Sequence, residues 1–308
     1  MITDQRRLIA LSNLGWIDHG SVWRFDAASG RVDSIRLSDA SHLVLQGTDG
    51  DEFTAVHHFG GSRVEITAHP FTAPANVLRR VVVTGWAPRV DSGLAPWPPA
   101  VSRFVAWLDD NATGSAGYFL ISVTGTEAAV ERLDWFDASS YDLGYQSVIA
   151  VREVPGTGEL VFGIQRSSHL VVISPGHRGA ARQVSLSGRH GNAVPHVRHT
   201  APEVWAVDYD TLVRLDRRTW QVTGTIRLQD APEGTAMFIG DLWMPPDEAF
   251  AVVPRPGMAD IAVVDPDTMT LIRTCHLGKE PLVAVVLDGG HVVARDWKTG
   301  HLLQADLT

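Results

Sequence analysis

One short pattern recurs along this chain and constrains its fold more than any other feature. An Asp follows an apolar strand, a Ser or Thr comes three residues later, and a Val or Leu follows three residues after that. The clear copies are Asp26, Ser29, Val32; Asp216, Thr219, Val222; and Asp265, Thr268, Leu271, and a weaker copy is Asp137, Ser140, Leu143. Short Asp, Ser and Thr side chains accept backbone amide hydrogen bonds in tight turns, and apolar alternation resumes after the turn. The pattern therefore predicts a recurring β-hairpin.

The spacing of the apolar runs points to one architecture. Helical periodicity is nearly absent, and runs of Val, Ile and Trp alternate with Gly, Asp and Pro turns. With strands named A to D from the inner to the outer edge of a blade, inner strands begin near residues 6, 42, 102, 147, 195, 236 and 281. A hairpin unit repeated about every 40 to 50 residues is typical of a β-propeller.

We therefore predict an all-β chain, with residues 1–308 forming a single β-propeller domain. Seven blades of four antiparallel strands fit the spacing best, and six or eight blades stay open as alternatives. Residues 5–13 fit the inner strand of the first blade. The last blade has room for only three strands before the sequence ends, so it is a candidate for an incomplete blade.

A resemblance to known propellers appears in the last repeat. The segment GKEPLVAVVLDGGHVVARDWKTGHLLQAD (278–306) resembles the repeat of YVTN-type propellers, in which a Pro-containing turn precedes an inner strand, a D-G turn and two further strands. These proteins belong to the broader superfamily of quinoprotein amine dehydrogenase-like propellers. The YVTN tetrapeptide itself is missing, and no Trp-Asp dipeptide closes a repeat as in WD40 propellers. The resemblance implies a fold and carries no function with it.

Charge and composition exclude several function classes. The chain has 26 basic and 35 acidic residues, a net charge of −9, which argues against a general nucleic-acid or anionic-membrane binder. The N-terminal MITDQRRLIALSNLG lacks the apolar run of a signal peptide, and no segment reaches the length of a membrane helix. Cys275 is alone, which excludes an intramolecular disulfide and a CxxC site. We expect a cytoplasmic, bacterial, monomeric protein.

Residues distant in sequence converge where the inner strands of a propeller begin. The D-to-A and B-to-C loops open on that face, around the mouth of the central channel. The positions predicted to bind a ligand there are His42, Arg103, Arg166, Tyr209, Glu280, Trp86, Trp97 and Trp297. A polar, histidine-rich rim of mixed charge suits a small polar molecule or a peptide. The alternative is that these loops are polar for solvation alone.

The segment GWAPRVDSGLAPWPPAVSR (85–103) is longer than the other D-to-A connections. Loops longer than about 12 residues often act as lids or binding loops. We expect Trp86 and Trp97 to cover a ligand, with packing on a neighbouring blade as the alternative.

The segment SGRHGNAVPHVRHT (187–200) contains three histidines. His190 and His196 can reach one point, whereas His196 and His199 lie on opposite faces of a strand. His196, His190 and His58 are the candidate catalytic residues. His57 and His58 are adjacent on a strand, so only one of them faces the mouth. No metal ligand set is predicted and no motif requires a cofactor, with a divalent metal left as an alternative.

Two functions are compatible with these residues. The first is a small-molecule-binding propeller doing acid–base chemistry as a lyase, cyclase, isomerase or hydrolase, with His196 as the base and Arg166 or Arg103 stabilising negative charge. The second is a non-catalytic scaffold for proteins or peptides. The polar mouth favours the first function, and the lack of a nucleophile or metal motif favours the second. Neither involves nucleic acid or a membrane.

Overall fold

A computed structural model describes most of the chain. The described residues are 2–4, 7–11, 21–26, 29, 31–39, 42–49, 52–59, 63–70, 72–88, 94–97, 102–110, 112–113, 116–133, 148–164, 167–174, 181–186, 193–230 and 238–307. Within them the chain forms β-strands joined by turns, with short 3-10 segments at Pro256–Met258 and Asp288–Gly290. None of these residues belongs to a helix long and apolar enough to cross a membrane.

The chain divides into two compact units. Unit 1 contains Met1–Ala138 with Gln146–Val148, and unit 2 contains Ser139–Tyr145 with Ile149–Thr308. The strands of unit 1 are β1 (Ile2–Asp4), β2 (Arg7–Leu11), β3 (Ser21–Asp26), β4 (Arg31–Arg36), β5 (His42–Asp49), β6 (Glu52–Phe59), β7 (Arg63–Pro70), β8 (Arg79–Thr84), β9 (Trp86–Pro88), β10 (Leu94–Pro96), β11 (Arg103–Asp110), β12 (Ala116–Thr124) and β13 (Glu127–Arg132).

The remaining strands belong to unit 2, apart from the first residue of β14. They are β14 (Val148–Glu153), β15 (Leu160–Ile164), β16 (His169–Ile173), β17 (Ala181–Ser185), β18 (Val194–Val197), β19 (Glu203–Asp208), β20 (Thr211–Asp216), β21 (Val222–Arg227), β22 (Ala251–Arg255), β23 (Asp260–Asp265), β24 (Thr270–His276), β25 (Pro281–Val286), β26 (His291–Asp296) and β27 (Leu302–Asp306). The prediction of a single domain stays a prediction.

The described strands pair in chain order into small antiparallel sheets. In unit 1 the sheets are β1–β4, β5–β8 and β10–β13, and β9 also pairs with β11. In unit 2 they are β14–β17, β18–β21, β22–β24 and β25–β27. The last sheet has three described strands, the number predicted for this blade. Several predicted inner strands are confirmed, since β5, β14, β18 and β25 begin within a residue of the expected positions.

Two inner strands differ from the prediction. In the first sheet the first strand is β1 at residues 2–4, and residues 7–11 form the second strand. In the third sheet the predicted inner strand near residue 102 is the second strand, β11, because β9 and β10 pair with it from inside the segment expected to be a long loop. Pro88 and Pro96 end these short strands, and proline is tolerated at sheet edges because it has no amide hydrogen to donate.

The predicted Asp turn is confirmed where its side chains are described. Asp216 Oδ1 accepts hydrogen bonds from the Thr219 amide at 2.7 Å and the Thr219 hydroxyl at 2.9 Å. Asp265 Oδ1 accepts from the Thr268 amide at 3.0 Å. Ser29 lies in the turn between β3 and β4, which pair as a hairpin. The weak copy at Asp137 lies outside the described residues.

One further Asp turn, at Asp296, was not predicted from the sequence. Asp296 Oδ1 accepts from the amide and the hydroxyl of Thr299 at 2.7 and 2.9 Å. The turn joins β26 to β27, so the same local signal closes hairpins at different places in the sheets.

Neighbouring sheets pack face to face through apolar side chains. In unit 1, Val56 and Val64 share a buried cluster with Phe104 and Phe119 of the next sheet. In unit 2, the fully buried Trp205 shares a cluster with Val253. Burying such side chains contributes about 25 cal/mol for each Å² of apolar surface removed from water.

Backbones approach closely at Gly240 in unit 2. Its amide donates to Pro254 O at 2.7 Å, and the next amide, of Asp241, donates to Leu282 O at 2.9 Å. A β-carbon at Gly240 would lie 1.9 Å from Leu282 O, closer than any side chain can approach. Glycine is therefore required there, and the approach places Asp241 beside β25.

Candidate functional site

Titratable side chains at the inner edges of unit 2 influence one another electrostatically. Arg152 lies on β14 and His196 on β18, which are the first strands of consecutive sheets. Asp241 lies in the segment that enters the next sheet, where Trp243 bridges to Val252 of β22. Two inner strands and this connecting segment therefore each contribute one titratable side chain to a group that we call the inner-strand cluster (Arg152, His196 and Asp241).

The inner-strand cluster keeps His196 neutral at physiological pH. Burial is the larger cause, and the positive charge of Arg152 acts in the same direction, so that the pKa of His196 falls to about 4. Glu248 opposes this decrease. A neutral imidazole has a free lone pair that can accept a proton or orient a water molecule.

Asp241 and Arg152 influence each other. Asp241 is exposed to solvent, but the protein atoms packed around its carboxyl remove part of its hydration, and this raises the pKa of the carboxyl. The positive charges of Arg152 and Arg295 oppose that increase. Burial lowers the pKa of the Arg152 guanidinium and Asp241 raises it. An arginine keeps its charge across the physiological range. The cluster thus combines a permanent cation with a neutral imidazole and a carboxyl.

A second group in unit 2 is aromatic. Trp297 Nε1 donates to Glu280 Oε2 at 2.5 Å, and Lys298 Nζ donates to Glu280 Oε1 at 2.5 Å. The ring of Phe238 meets Trp297 edge to face with 5.6 Å between the centroids. The backbone of Tyr209 is close, because Ile239 N donates to Tyr209 O at 2.6 Å.

The structure therefore brings together Glu280 and Trp297, two residues that the sequence analysis had predicted to bind a ligand. Tyr209 adjoins them through the Phe238–Ile239 segment. Phe238 and Lys298 were not predicted, and they complete the group. We call these five residues the aromatic rim (Tyr209, Phe238, Glu280, Trp297 and Lys298).

The predicted residues of unit 1 divide between two places. His42 and His58 are directly paired across β5 and β6, so the register brings their backbones together, and their side chains lie outside the described part of the structure. Arg103 begins β11, which is the second strand of its sheet and not the inner one as expected. Its predicted ligand contact stays a prediction.

The two tryptophans of the expected lid pack within unit 1. Trp86 lies on β9 with its ring centroid 4.4 Å from that of Phe119. Trp97 is only 8% exposed, and its amide donates to Arg103 O at 2.8 Å. The lid interpretation requires a free loop, whereas this segment contains two strands paired with β11. Packing, the alternative considered for these tryptophans, accounts for their described contacts.

His199 does not lie on the strand that carries His196, so the two do not occupy opposite faces of one strand as expected. Strand β18 ends at Val197, so His199 lies in the following turn and is exposed. Its amide donates to Glu248 Oε1 at 2.6 Å. His190 and Arg166 lie outside the described residues. In the part of the chain that the structure describes, no three His, Cys, Asp or Glu side chains are grouped to hold a metal ion.

No protein-family model matches the sequence, and no curated protein matches it. Solved structures do match over nearly the whole chain. The β-propeller domain of Cps50 (Swd1) from Myceliophteria thermophila is 13% identical with a TM-score of 0.66, covering 100% of this chain and 99% of that one. The chain has a β-propeller fold. The sheets described above are the blades of this propeller, and the blade number of the whole chain stays a prediction.

Two bacterial propellers align equally well. The periplasmic gluconolactonase PpgL from Pseudomonas aeruginosa is 15% identical with a TM-score of 0.65, covering 98% of this chain and 95% of that one. A Bacteroides fragilis protein proposed to be a 6-phosphogluconolactonase is 15% identical with a TM-score of 0.63, covering 100% of this chain and 95% of that one. At such identities the likeness concerns the fold.

Proposed function

We propose that this propeller binds a small polar molecule at the inner edge of unit 2 and hydrolyses it, with a sugar-derived lactone as the substrate class. The observation that carries the proposal is the inner-strand cluster, where a neutral His196 lies in the field of Arg152. Of the reaction types that the sequence allowed, hydrolysis is favoured because two propellers of similar fold bear lactonase names.

The cluster has the groups that lactone hydrolysis needs. Attack of water on the ring carbonyl creates a negative oxygen and releases a proton. His196 is the base that orients the water and receives its proton, and Arg152 stabilises the oxyanion. With a pKa of about 4, His196 is a weak base as long as no negative charge offsets that of Arg152. Negative charge developing on the substrate offsets Arg152, which raises the pKa of His196 as the reaction proceeds.

The aromatic rim supplies binding contacts in this proposal. Tryptophan and phenylalanine faces pack against the C–H faces of a sugar ring, and the Glu280 and Lys298 side chains offer hydrogen-bonding atoms for hydroxyls. Asp241 keeps Arg152 in place through its charge. No step of this reaction needs a metal or an organic cofactor.

The experiment is hydrolysis of glucono-1,5-lactone followed at constant pH, with the spontaneous rate subtracted. We expect His196→Gln and Arg152→Gln each to lower kcat/KM by about 100-fold or more, the usual size of losing one group that acts on a developing charge. The matched control is His199→Gln, which removes an exposed histidine three residues away and leaves the rate unchanged.

A wild-type protein that neither accelerates hydrolysis nor binds gluconate in calorimetry would contradict the proposal. Full activity in His196→Gln would also contradict it. Either result favours the alternative function, a scaffold for proteins or peptides.

A further inference from the structure

A continuous chain of hydrogen-bonded side chains runs through unit 1. Ser38 Oγ lies 2.7 Å from His57 Nδ1, and His57 Nε2 lies 2.6 Å from Thr67 Oγ1. Thr67 Oγ1 lies 2.5 Å from His69 Nε2. His69 Nδ1 then contacts two backbone oxygens, Pro74 O at 2.8 Å and Asn76 O at 3.0 Å. His57, Thr67 and His69 are almost fully buried, and Ser38 is half-buried on the connection between β4 and β5.

The backbone oxygens at the far end determine the direction of every donor. Carbonyl oxygens only accept, so His69 Nδ1 carries a proton and its neutral Nε2 accepts from the Thr67 hydroxyl. Thr67 has then used its proton and must accept from His57 Nε2. His57 Nδ1 is therefore the basic nitrogen, and it accepts the proton of Ser38. The arrangement leaves one order of donors, from Ser38 to the Pro74 and Asn76 carbonyls.

In this order of donors, the basic nitrogen of His57, Nδ1, accepts a hydrogen bond from the Ser38 hydroxyl. Nucleophilic serines are recognised by a base within hydrogen-bond reach and a third group that orients the base. Here Ser38 is the hydroxyl, His57 the base and Thr67 the orienting group. His69 extends the relay by one more imidazole, stacked on Phe53 with 5.2 Å between the ring centroids.

We propose that Ser38 is a nucleophile activated by His57, and that unit 1 carries a second hydrolytic site for small carboxylic esters, independent of the function proposed for unit 2. Thr67 and His69 are positioning residues in this site.

The reaction balances with water as the only co-substrate. Ser38 Oγ attacks the ester carbonyl carbon while its proton moves to His57 Nδ1. The bond to the leaving oxygen breaks, and that oxygen takes the proton from His57 and departs as the alcohol. Water then attacks the acyl group on Ser38 and gives a proton to His57, which returns it to Ser38 Oγ as the carboxylic acid leaves.

The surroundings keep His57 in its basic form. Burial is the largest cause that lowers the pKa of His57 to about 4; Glu65 opposes it, and His69 and Arg80 act in the same direction as burial. Burial also lowers the pKa of His69, and the Pro74 and Asn76 carbonyls, which accept from its Nδ1, counteract this. Arg80 is paired with Glu65 at 2.7 Å.

The experiment uses a fluorophosphonate, which serine nucleophiles attack at phosphorus with loss of fluoride. The full-length protein is treated with the probe from pH 4 to 9, and the modified residue is located by tandem mass spectrometry. We expect one adduct on Ser38, with a labelling rate that is constant above about pH 6 and falls to about half at pH 4, where about half of the His57 rings are protonated. The wild-type chain alone is enough to overturn the proposal, if Ser38 forms no adduct or if the labelling rate does not change with pH.

Variants separate reactivity from structural support. Ser38→Ala abolishes labelling, and Ser34→Ala, at an exposed position on β4, leaves it unchanged. Thr67→Val lowers the labelling rate at least tenfold and Thr67→Ser restores it, because only the hydroxyl can orient His57. If Thr67→Val lowers the melting temperature but labels Ser38 at the wild-type rate, the network only stabilises the fold and the proposal is wrong.

Discussion

Arg198 Nε lies 3.0 Å from Glu248 Oε2, and the two side chains are only 5% and 3% exposed. Glu248 also accepts from the His199 amide and the Thr200 hydroxyl. Burial raises the pKa of Glu248, but the hydrogen bonds from Thr200, His199 and Arg198 outweigh burial and bring it to about 2. The contact ties the turn after β18 to the turn before β22, so it joins two adjacent blades of unit 2.

Replacing Glu248 therefore leaves a buried cation without its main partner. We expect Glu248→Gln to lower the free energy of unfolding by about 3 kcal/mol or more, in the range found when one member of a buried pair is removed. Urea unfolding followed by tryptophan fluorescence measures the change. The control is Asp230→Asn, which removes a carboxylate that is 94% exposed and 3.5 Å from Arg227, and it should cost well under about 1 kcal/mol. Equal effects of the two variants would contradict the assignment.

Stability should decrease on mild acidification because of His57. Its folded-state pKa of about 4 is below the unfolded value of 6.5, so the unfolded chain binds more protons between these pH values. Stability from this group is complete above pH 6.5, declines as the pH falls, and is lost below about 4. The full loss is roughly 3 kcal/mol, at about 1.4 kcal/mol per pH unit.

The measurement is the free energy of unfolding at several pH values, together with the chemical shifts of the His57 ring in nuclear magnetic resonance titrations. In His57→Gln the slope between pH 4 and 6.5 should fall by the contribution of one proton. A His57 ring that titrates near 6.5 would show that the network does not hold it neutral.

Gly240 should not tolerate a side chain. In Gly240→Ala the new methyl group would meet Leu282 O, and moving the backbone apart breaks the hydrogen bond from Asp241 to the same oxygen. We expect a loss of about 3 kcal/mol or more, since overpacking and a lost backbone contact add. Thermal unfolding tests this, with Gly117→Ala as the control, because a β-carbon there meets only the Arg132 guanidinium group at 3.4 Å. If both alanines cost the same, the close approach is not rigid.

Asp296 should be sensitive to loss of its oxygens and less sensitive to loss of charge. Oδ1 accepts from Lys298 and Thr299, and Oδ2 accepts from the Glu280 amide at 3.1 Å. Asp296→Ala leaves these donors unpaired, at a cost of roughly 2 to 3 kcal/mol, while Asp296→Asn keeps the Oδ1 acceptor and costs about half as much. Calorimetry on both variants gives the comparison. The reverse order would show that charge, and not the turn geometry, is what matters.

The hairpins and many strand positions could be predicted because their signals are local. Asp216 and Thr219 are three residues apart, and runs of apolar residues mark strands such as β16. The third sheet escaped this reasoning, since β9 and β10 are three residues long and end in proline, and such strands show no alternation. Their prolines and tryptophans looked like a loop.

The candidate sites were harder to predict because they arise where separate strands meet. His196 was found through its place at the start of an inner strand, and Glu280 and Trp297 through their places on loops of one edge. Arg152 and Asp241 were missed, because only the three-dimensional arrangement of separate segments lets Arg152 act on His196 and Asp241 act on Arg152. The Ser38–His57 contact joins a connection to a strand 19 residues away, and no spacing rule links them.

The Asp turns also bear on how the chain acquires its shape during synthesis. Each one closes within a few residues and its hydrogen bonds need no contact from another blade, so the turn can form as soon as that segment leaves the ribosome. Contacts of short sequence separation form fastest. We expect the hairpins at Asp216 and Asp265 to appear before the blades that contain them are finished, leaving the slow part of folding to the docking of one preformed blade on the next.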